Sequence, residues 1–115
     1  MKDLAPDIGF GDGSYRSCVL SEKKLIIYVD SWDGKTIKII FLHPIFVLYR
    51  SEYGIAGVFE KSSTESSQNS FLKEALSSHY GNIPTHHPFR AFVIMDEDDR
   101  DFFEVVAESV IVTKE

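Results

Sequence analysis

The sequence has little of several residue types, and each shortage excludes a class of protein. Cys18 is the only cysteine among 115 residues, so a disulfide framework or a multi-cysteine zinc or iron–sulfur site is excluded. No apolar run approaches the ~20 residues that a membrane-spanning helix needs. Residues 1–7 lack the basic start and apolar stretch of a secretory signal. We therefore expect a soluble cytoplasmic protein, because a lone thiol fits a reducing compartment.

Basic residues are also scarce relative to acidic ones. The chain has 12 Lys and Arg against 18 Asp and Glu, which gives a formal net charge of −6. Most of the acidic excess lies between residues 96 and 104. An acidic domain repels phosphate backbones, so we expect no nucleic-acid partner, whereas a basic protein would be attracted.

Length and composition indicate one folded domain over residues 1–115. Hydrophobic residues make up 43% of the chain, which is enough for a core and too much for a disordered segment. We interpret residues 1–13 as an irregular lead-in that Ile8 and Phe10 could attach to the core. Residues 61–69 hold Ser and Thr without aliphatic side chains, which is typical of a polar loop.

Seven segments have the composition of β-strands. They are residues 14–20, 25–30, 35–42, 45–50, 55–60, 89–95 and 102–113. Asp33-Gly34 between two apolar runs predicts a hairpin with a type I′ turn, and Gly57 inside a strand predicts a bulge or a close backbone approach. In the last segment, alternation places Phe103, Val105, Ala107 and Ile111 on one face, opposite Val112.

One helix is predicted over residues 70–80. Ser70 has the character of an N-cap, apolar residues then recur at helical spacing, and Gly81 follows as a C′ residue. Hairpin-linked strands with a single helix favour an α+β fold. We expect an antiparallel, curled β-sheet of about seven strands with the short helix packed on one face.

No catalytic signature is present, so we expect no enzyme, no cofactor and no metal. The acidic run fails as a calcium loop because Arg100 stands at its fifth position, where an oxygen ligand is needed. Cys18 has no neighbouring base, and its place in a strand predicts a buried, inert thiol. A metal site that combines His79 with His86 or His87 and an acid remains an alternative.

Two groups of residues are candidates for binding a protein. The first consists of Trp32, Asp33 and Tyr53 at two turns, which share one end if the strands from 25 to 60 form an up-and-down meander. The second is the acidic turn, represented by Asp96, Asp98, Asp99 and Asp101. Trp and Tyr are frequent interface anchors, although the ring of Trp32 could instead fold back onto the sheet as part of the core.

The turn Ser31-Trp32-Asp33-Gly34 with strand 36–41, and the ending formed by strand 89–95, an acidic turn and residues 103–107, resemble small acidic bacterial immunity proteins. Those proteins belong to polymorphic toxin systems, and the resemblance implies an inhibitor that blocks a cognate toxin. An acidic inhibitor suits a basic toxin. Two alternatives remain: a structural module that forms homo-oligomers, such as a homodimer, through a sheet edge, and a small-ligand or metal-binding domain.

Overall fold

The computed structural model of the chain describes most of its length. The described residues are 2–8, 10, 13–49, 54–60, 70–84, 86–96 and 101–115. They form nine strands: β1 (Lys2–Asp3), β2 (Gly13–Leu20), β3 (Lys24–Asp30), β4 (Thr36–Leu42), β5 (Phe46–Tyr49), β6 (Gly54–Glu60), β7 (Arg90–Asp96), β8 (Asp101–Ala107) and β9 (Ser109–Lys114). One α-helix, α1, runs over Ser70–Tyr80. No helix in this part of the chain combines the length and the apolarity needed to cross a bilayer.

The strands pair antiparallel throughout and divide into two sheets. Pairing follows the order β5-β8-β7-β6-β2-β3-β4-β9, with β1 added to β6. We call β5-β8-β7-β6 the helix-covered sheet and β2-β3-β4-β9 the hairpin sheet. They are joined between β2 and β6 by two residue pairs, Gly13 with Ile55 and Ser14 with Gly54.

The α+β class and the antiparallel pairing are therefore confirmed, and the single curled sheet is wrong. The predicted strand over residues 102–113 is interrupted at Glu108, so β8 and β9 belong to different sheets. The up-and-down meander is wrong as well. β5 does not pair with β4 or β6, because its partner is β8 at the far edge of the helix-covered sheet.

The main core lies between the two sheets. Alternate residues of each strand point inward, as a period of two requires. The buried residues from the hairpin sheet are Leu25, Ile27, Val29, Ile37, Ile39 and Phe41, and those from the helix-covered sheet are Val58, Phe92, Ile94, Phe103, Val105 and Ala107. The rings of Phe41 and Phe92 lie 5.6 Å apart between centroids and so join the sheets directly.

The helix covers the outer face of one sheet, as predicted. Ala75 and Leu76 are buried against Phe89, Ala91 and Val106. The C-terminal signal of the helix is also confirmed. Gly81 has a φ of +81°, and its N–H donates to the carbonyl oxygen of Ser77 at 2.8 Å, which is a cap that glycine adopts without steric cost.

The break at Glu108 reverses which residues of the last segment face inward. Phe103, Val105 and Ala107 are buried as predicted, whereas Ile111 is 46% exposed and Val112 packs against the core. The predicted alternation fails because Glu108 lies between two strands that enter different sheets.

Three further local predictions have clear outcomes. The pairing of β6 with β7 shifts register between Ile55 and Gly57, which confirms the bulge. Phe10 is buried and Ile8 packs against the core, so the lead-in is attached as expected, although Lys2–Asp3 also adds a short strand. The predicted polar loop over 61–69 lies outside the described residues.

Cys18 is exposed, so the prediction of a buried thiol is wrong. The reason is the limited overlap of β2 with its neighbour. β6 pairs only with Gly13 and Ser14, and residues 16–20 continue beyond that contact as an edge on which Leu20 is 62% exposed. An alternating pattern indicates a strand, but it does not show where the strand extends beyond the sheet that would bury its inner face.

Candidate protein-binding site at the hairpin end

The connection between β3 and β4 carries Trp32 and Asp33. The N–H of Ser31 donates to the carbonyl oxygen of Lys35 at 2.9 Å, and the N–H of Gly34 donates to that of Ser31 at 3.1 Å. Gly34 has a φ of +80°, whereas Asp33 does not have a positive φ. The hairpin is confirmed, but its turn is not type I′: it is a three-residue connection that ends in a left-handed glycine.

Asp33 holds this connection together. The hydroxyl of Ser31, itself 6% exposed, donates to Oδ1 of Asp33, and Nζ of Lys114 on β9 lies 3.2 Å from Oδ2. The hydrogen bond from Ser31 is the main reason why the pKa of Asp33 falls to about 2. The carboxylate is therefore ionised at neutral pH and is occupied in fixing the hairpin.

Trp32 projects from the fixed hairpin into solvent. It is 70% exposed, more than Leu20 at 62% or Ile83 at 57%. The interpretation of Trp32 as a core residue is therefore wrong. A large aromatic side chain on an anchored turn loses little further freedom on binding, which is why such residues serve as interface anchors.

Strand register places Asp96 at the same end of the molecule as the connection that carries Trp32. Asp96 on β7 pairs with Ile55 on β6, Ile55 pairs with Gly13 on β2, and the next residue, Ser14, pairs with Asp30 on β3. Asp30 is the last residue before the connection that carries Trp32. Along the pairing order, β7 and β3 are three strand spacings apart, each of about 4.8 Å.

We call this region the hairpin end. It consists of residues 30–36, the start of β6, and the backbone of Asp96 and Asp101 that flanks the acidic turn. Asp96 and Asp101 are placed by their strands. Tyr53, Asp98 and Asp99 lie outside the described residues, so the structure does not place them.

Two cations beside this end have acidic partners, while Lys35 within it is exposed. Nε of Arg16 lies 3.2 Å from Oδ1 of Asp30, and the guanidinium also donates to Oγ1 of Thr36 at 3.0 Å. Lys114 pairs with Asp33 in the same way. The positive charges of Arg16 and Lys114 are thus offset locally.

A cleft lies at the opposite end of β3 and β4. Its volume is about 360 Å³, and its lining is Glu22, His43, Pro44, Ile45, His79, Phe89 and Glu108. His43 has a φ of +53°, and its Nε2 lies 3.7 Å from Oε2 of Glu108. The cleft combines apolar walls with four side chains that can exchange protons or accept hydrogen bonds.

The cleft contains His79 and not the other two histidines of the proposed metal site. His79 packs edge-on against Phe89 with centroids 5.3 Å apart, while Nδ1 of His87 accepts a hydrogen bond from the N–H of Phe89 at 3.2 Å. Within the described ranges, no group of three or more His, Cys, Asp or Glu residues is arranged to hold a metal ion.

Sequence reasoning missed the two residues that hold the hairpin in place. Ser31 had a weak signal, because Ser and Asp are frequent turn residues whose side chains make local hydrogen bonds. Lys114 had none, since its contact with Asp33 depends on the pairing of β4 with β9. Comparison with protein-family models, curated proteins and solved structures finds no match for this chain.

Proposed function

We propose that the chain is a non-enzymatic, cytoplasmic protein-binding domain that contacts its partner through the hairpin end. The observation that supports this most is the 70% exposure of Trp32 on a connection that Ser31 and Lys114 hold through Asp33. Exposure of a large aromatic on a rigid support favours recognition over a role in folding.

The partner that fits this end best is basic. The chain carries a net charge of −6, Asp96 and Asp101 flank the acidic turn at the hairpin end, and Arg16 and Lys114 are already paired with acids. Opposite charge on the partner would speed its diffusional approach. The most concrete form of the proposal is an immunity-type inhibitor that occupies a phosphate-binding site of a basic toxin.

The test is affinity capture from a lysate of the source cells at low and at high salt. We expect wild-type chain to retain a basic protein that high salt weakens, and Trp32→Ala to lose it. Leu20→Ala is the matched control, because Leu20 is similarly exposed but lies at the other end of β2. Equal losses from both variants, or retention that salt does not affect, would contradict the proposal.

A second arm tests the acidic turn with the captured partner. Charge reversal at Asp98 and Asp99, which lie outside the described residues, should slow association and leave dissociation largely unchanged, because long-range attraction acts mainly on the approach. Unchanged association kinetics would argue against steering by this turn, while Trp32 could still be tested as the anchor.

A further inference from the structure

The strand β9 forms an outer edge of the hairpin sheet. It pairs with β4, with Lys114 opposite Ile37 at one end and Ser109 opposite Leu42 at the other. In the described part of the chain no second strand pairs with it. An unpaired edge presents a row of free backbone groups that another strand can match. The segment contains no proline and no bulge, two of the devices that usually block such an edge.

The hydrogen bonds to β4 determine which backbone groups of β9 point outward. Thr36 and Glu115 exchange both of their hydrogen bonds, at 3.0 and 2.9 Å. Residues along an antiparallel pair alternate between bonded and non-bonded positions, so Thr113 and Ile111 also direct their N–H and C=O groups toward β4. The groups of Val110 and Val112 therefore point to the free edge.

The sequence around this edge is complementary to itself. From 108 to 114 it reads Glu-Ser-Val-Ile-Val-Thr-Lys, with Ile111 at the centre. When two copies pair antiparallel about Ile111, Val110 faces Val112 and Ser109 faces Thr113. Hydrogen bonds between facing Ser and Thr side chains stabilise a strand pair. Glu108 lies before β9 and its N–H donates to the carbonyl oxygen of Leu42, so the paired register ends at Ser109.

This register also agrees with the backbone and with the sheet surface. It joins Val110 to Val112 of the second copy, which are the residues whose N–H and C=O groups point outward. On the outer face, Val19, Ile26, Ile40 and Ile111 occupy one row across the four strands. Pairing about Ile111 would continue that aliphatic row from one copy into the next.

We propose that two copies of the chain form a homodimer by antiparallel pairing of their β9 strands about Ile111. The inference does not rest on the proposed function, since it uses the outer backbone groups of β9 and not the exposed residues of the hairpin end. A two-fold axis at Ile111 makes both copies contribute the same residues, as a closed dimer requires. Four backbone hydrogen bonds form across the axis, two for each pairing of Val110 with Val112.

The first experiment measures mass by light scattering over a concentration series. We expect the 13.1 kDa chain to approach twice that mass, with slowed amide exchange at Val110 and Val112 on dimerisation. Ile111→Asp should remain a monomer, because two aspartates would meet at the axis. Val19→Asp is the matched control, since Val19 is 55% exposed on the same row at the opposite edge, and it should still dimerise.

The second experiment places charges at Ser109 and Thr113, which face each other when two copies pair about Ile111. A chain with Ser109→Lys and Thr113→Lys, and one with Ser109→Glu and Thr113→Glu, should each fail to dimerise alone, because like charges then face each other at both ends. An equimolar mixture of the two variants should dimerise, since each Lys then faces a Glu. A wild-type chain that stays monomeric, a dimer that survives Ile111→Asp, loss in Val19→Asp, or a mixture that stays monomeric would each overturn the proposal.

Discussion

Lys114 on the last strand holds Asp33 in the connection between β3 and β4, with Nζ 3.2 Å from Oδ2. Neither residue needs to touch a partner for this contact to affect binding. It fixes the loop that carries the exposed Trp32, and it links the position of that side chain to the pairing of β9 with β4. A substitution that disrupts the pairing of β9 should therefore also loosen the connection that carries Trp32, because Lys114 would no longer hold Asp33.

We expect Ser31→Ala to raise the pKa of Asp33 from about 2 toward 3.8, because the Ser31 hydroxyl is the largest cause of its lowering. A carboxylate whose pKa is depressed by folding stabilises the fold above its ordinary pKa. That stabilisation is lost as the pH falls from about 3.8 through about 2. NMR titration of the Asp33 carboxyl carbon measures this pKa, and Ser17→Ala should leave it unchanged.

Trp32→Ala should leave the free energy of unfolding within about 0.5 kcal/mol of wild type, as exposed substitutions usually do. Phe92→Ala should cost about 3–5 kcal/mol, since Phe92 is fully buried and contacts Phe41 across the core. Urea unfolding followed by circular dichroism compares the two. A large loss in Trp32→Ala would mean that the indole packs against the protein in solution.

Gly13→Ala should destabilise the fold by about 1–3 kcal/mol, the usual cost of overpacking. A Cβ at Gly13 would lie 2.6 Å from the carbonyl oxygen of Phe10, so the backbone would have to move. Gly57→Ala is the matched control, because its Cβ would approach only the far edge of the Phe59 ring, at 3.0 Å. Thermal denaturation should give the lower Tm for Gly13→Ala, and the reverse order would contradict this account.

The exposed thiol of Cys18 should react fully with a thiol-specific chromogenic reagent in the native protein. Because Cys18 is the only cysteine, the absorbance change counts this single site. The reaction rate should change little when denaturant is added below the unfolding transition. A thiol that reacts only after unfolding would show that the edge of β2 is covered in solution.

Periodicity predicted the elements well where each strand stays within one sheet. Leu25, Ile27 and Val29 face the core as their alternation requires, and α1 covers the residues that its spacing and caps indicated. The two-sheet arrangement could not be predicted, because it depends on the short contact of β2 with β6 and on the break at Glu108. No local pattern marks either feature.

The candidate site was predictable in part. Exposure of Trp32 follows from its place beside a turn, although the sequence also allowed a buried ring. The common location of the hairpin and Asp96 was not predictable from the expected meander, since the path that joins them runs through Ile55 and Gly13. Pairing between distant segments determines this proximity, and such pairing leaves little trace in a single sequence.

The passage of the chain through Glu108 also affects how the protein folds. Residues 101–107 complete the helix-covered sheet between β5 and β7, and residues 109–114 complete the hairpin sheet beside β4. Neither sheet has all its strands until this one segment is in place, so the two sheets should gain and lose their order in a single cooperative step. Most of these contacts join residues far apart in the chain, which favours slow folding.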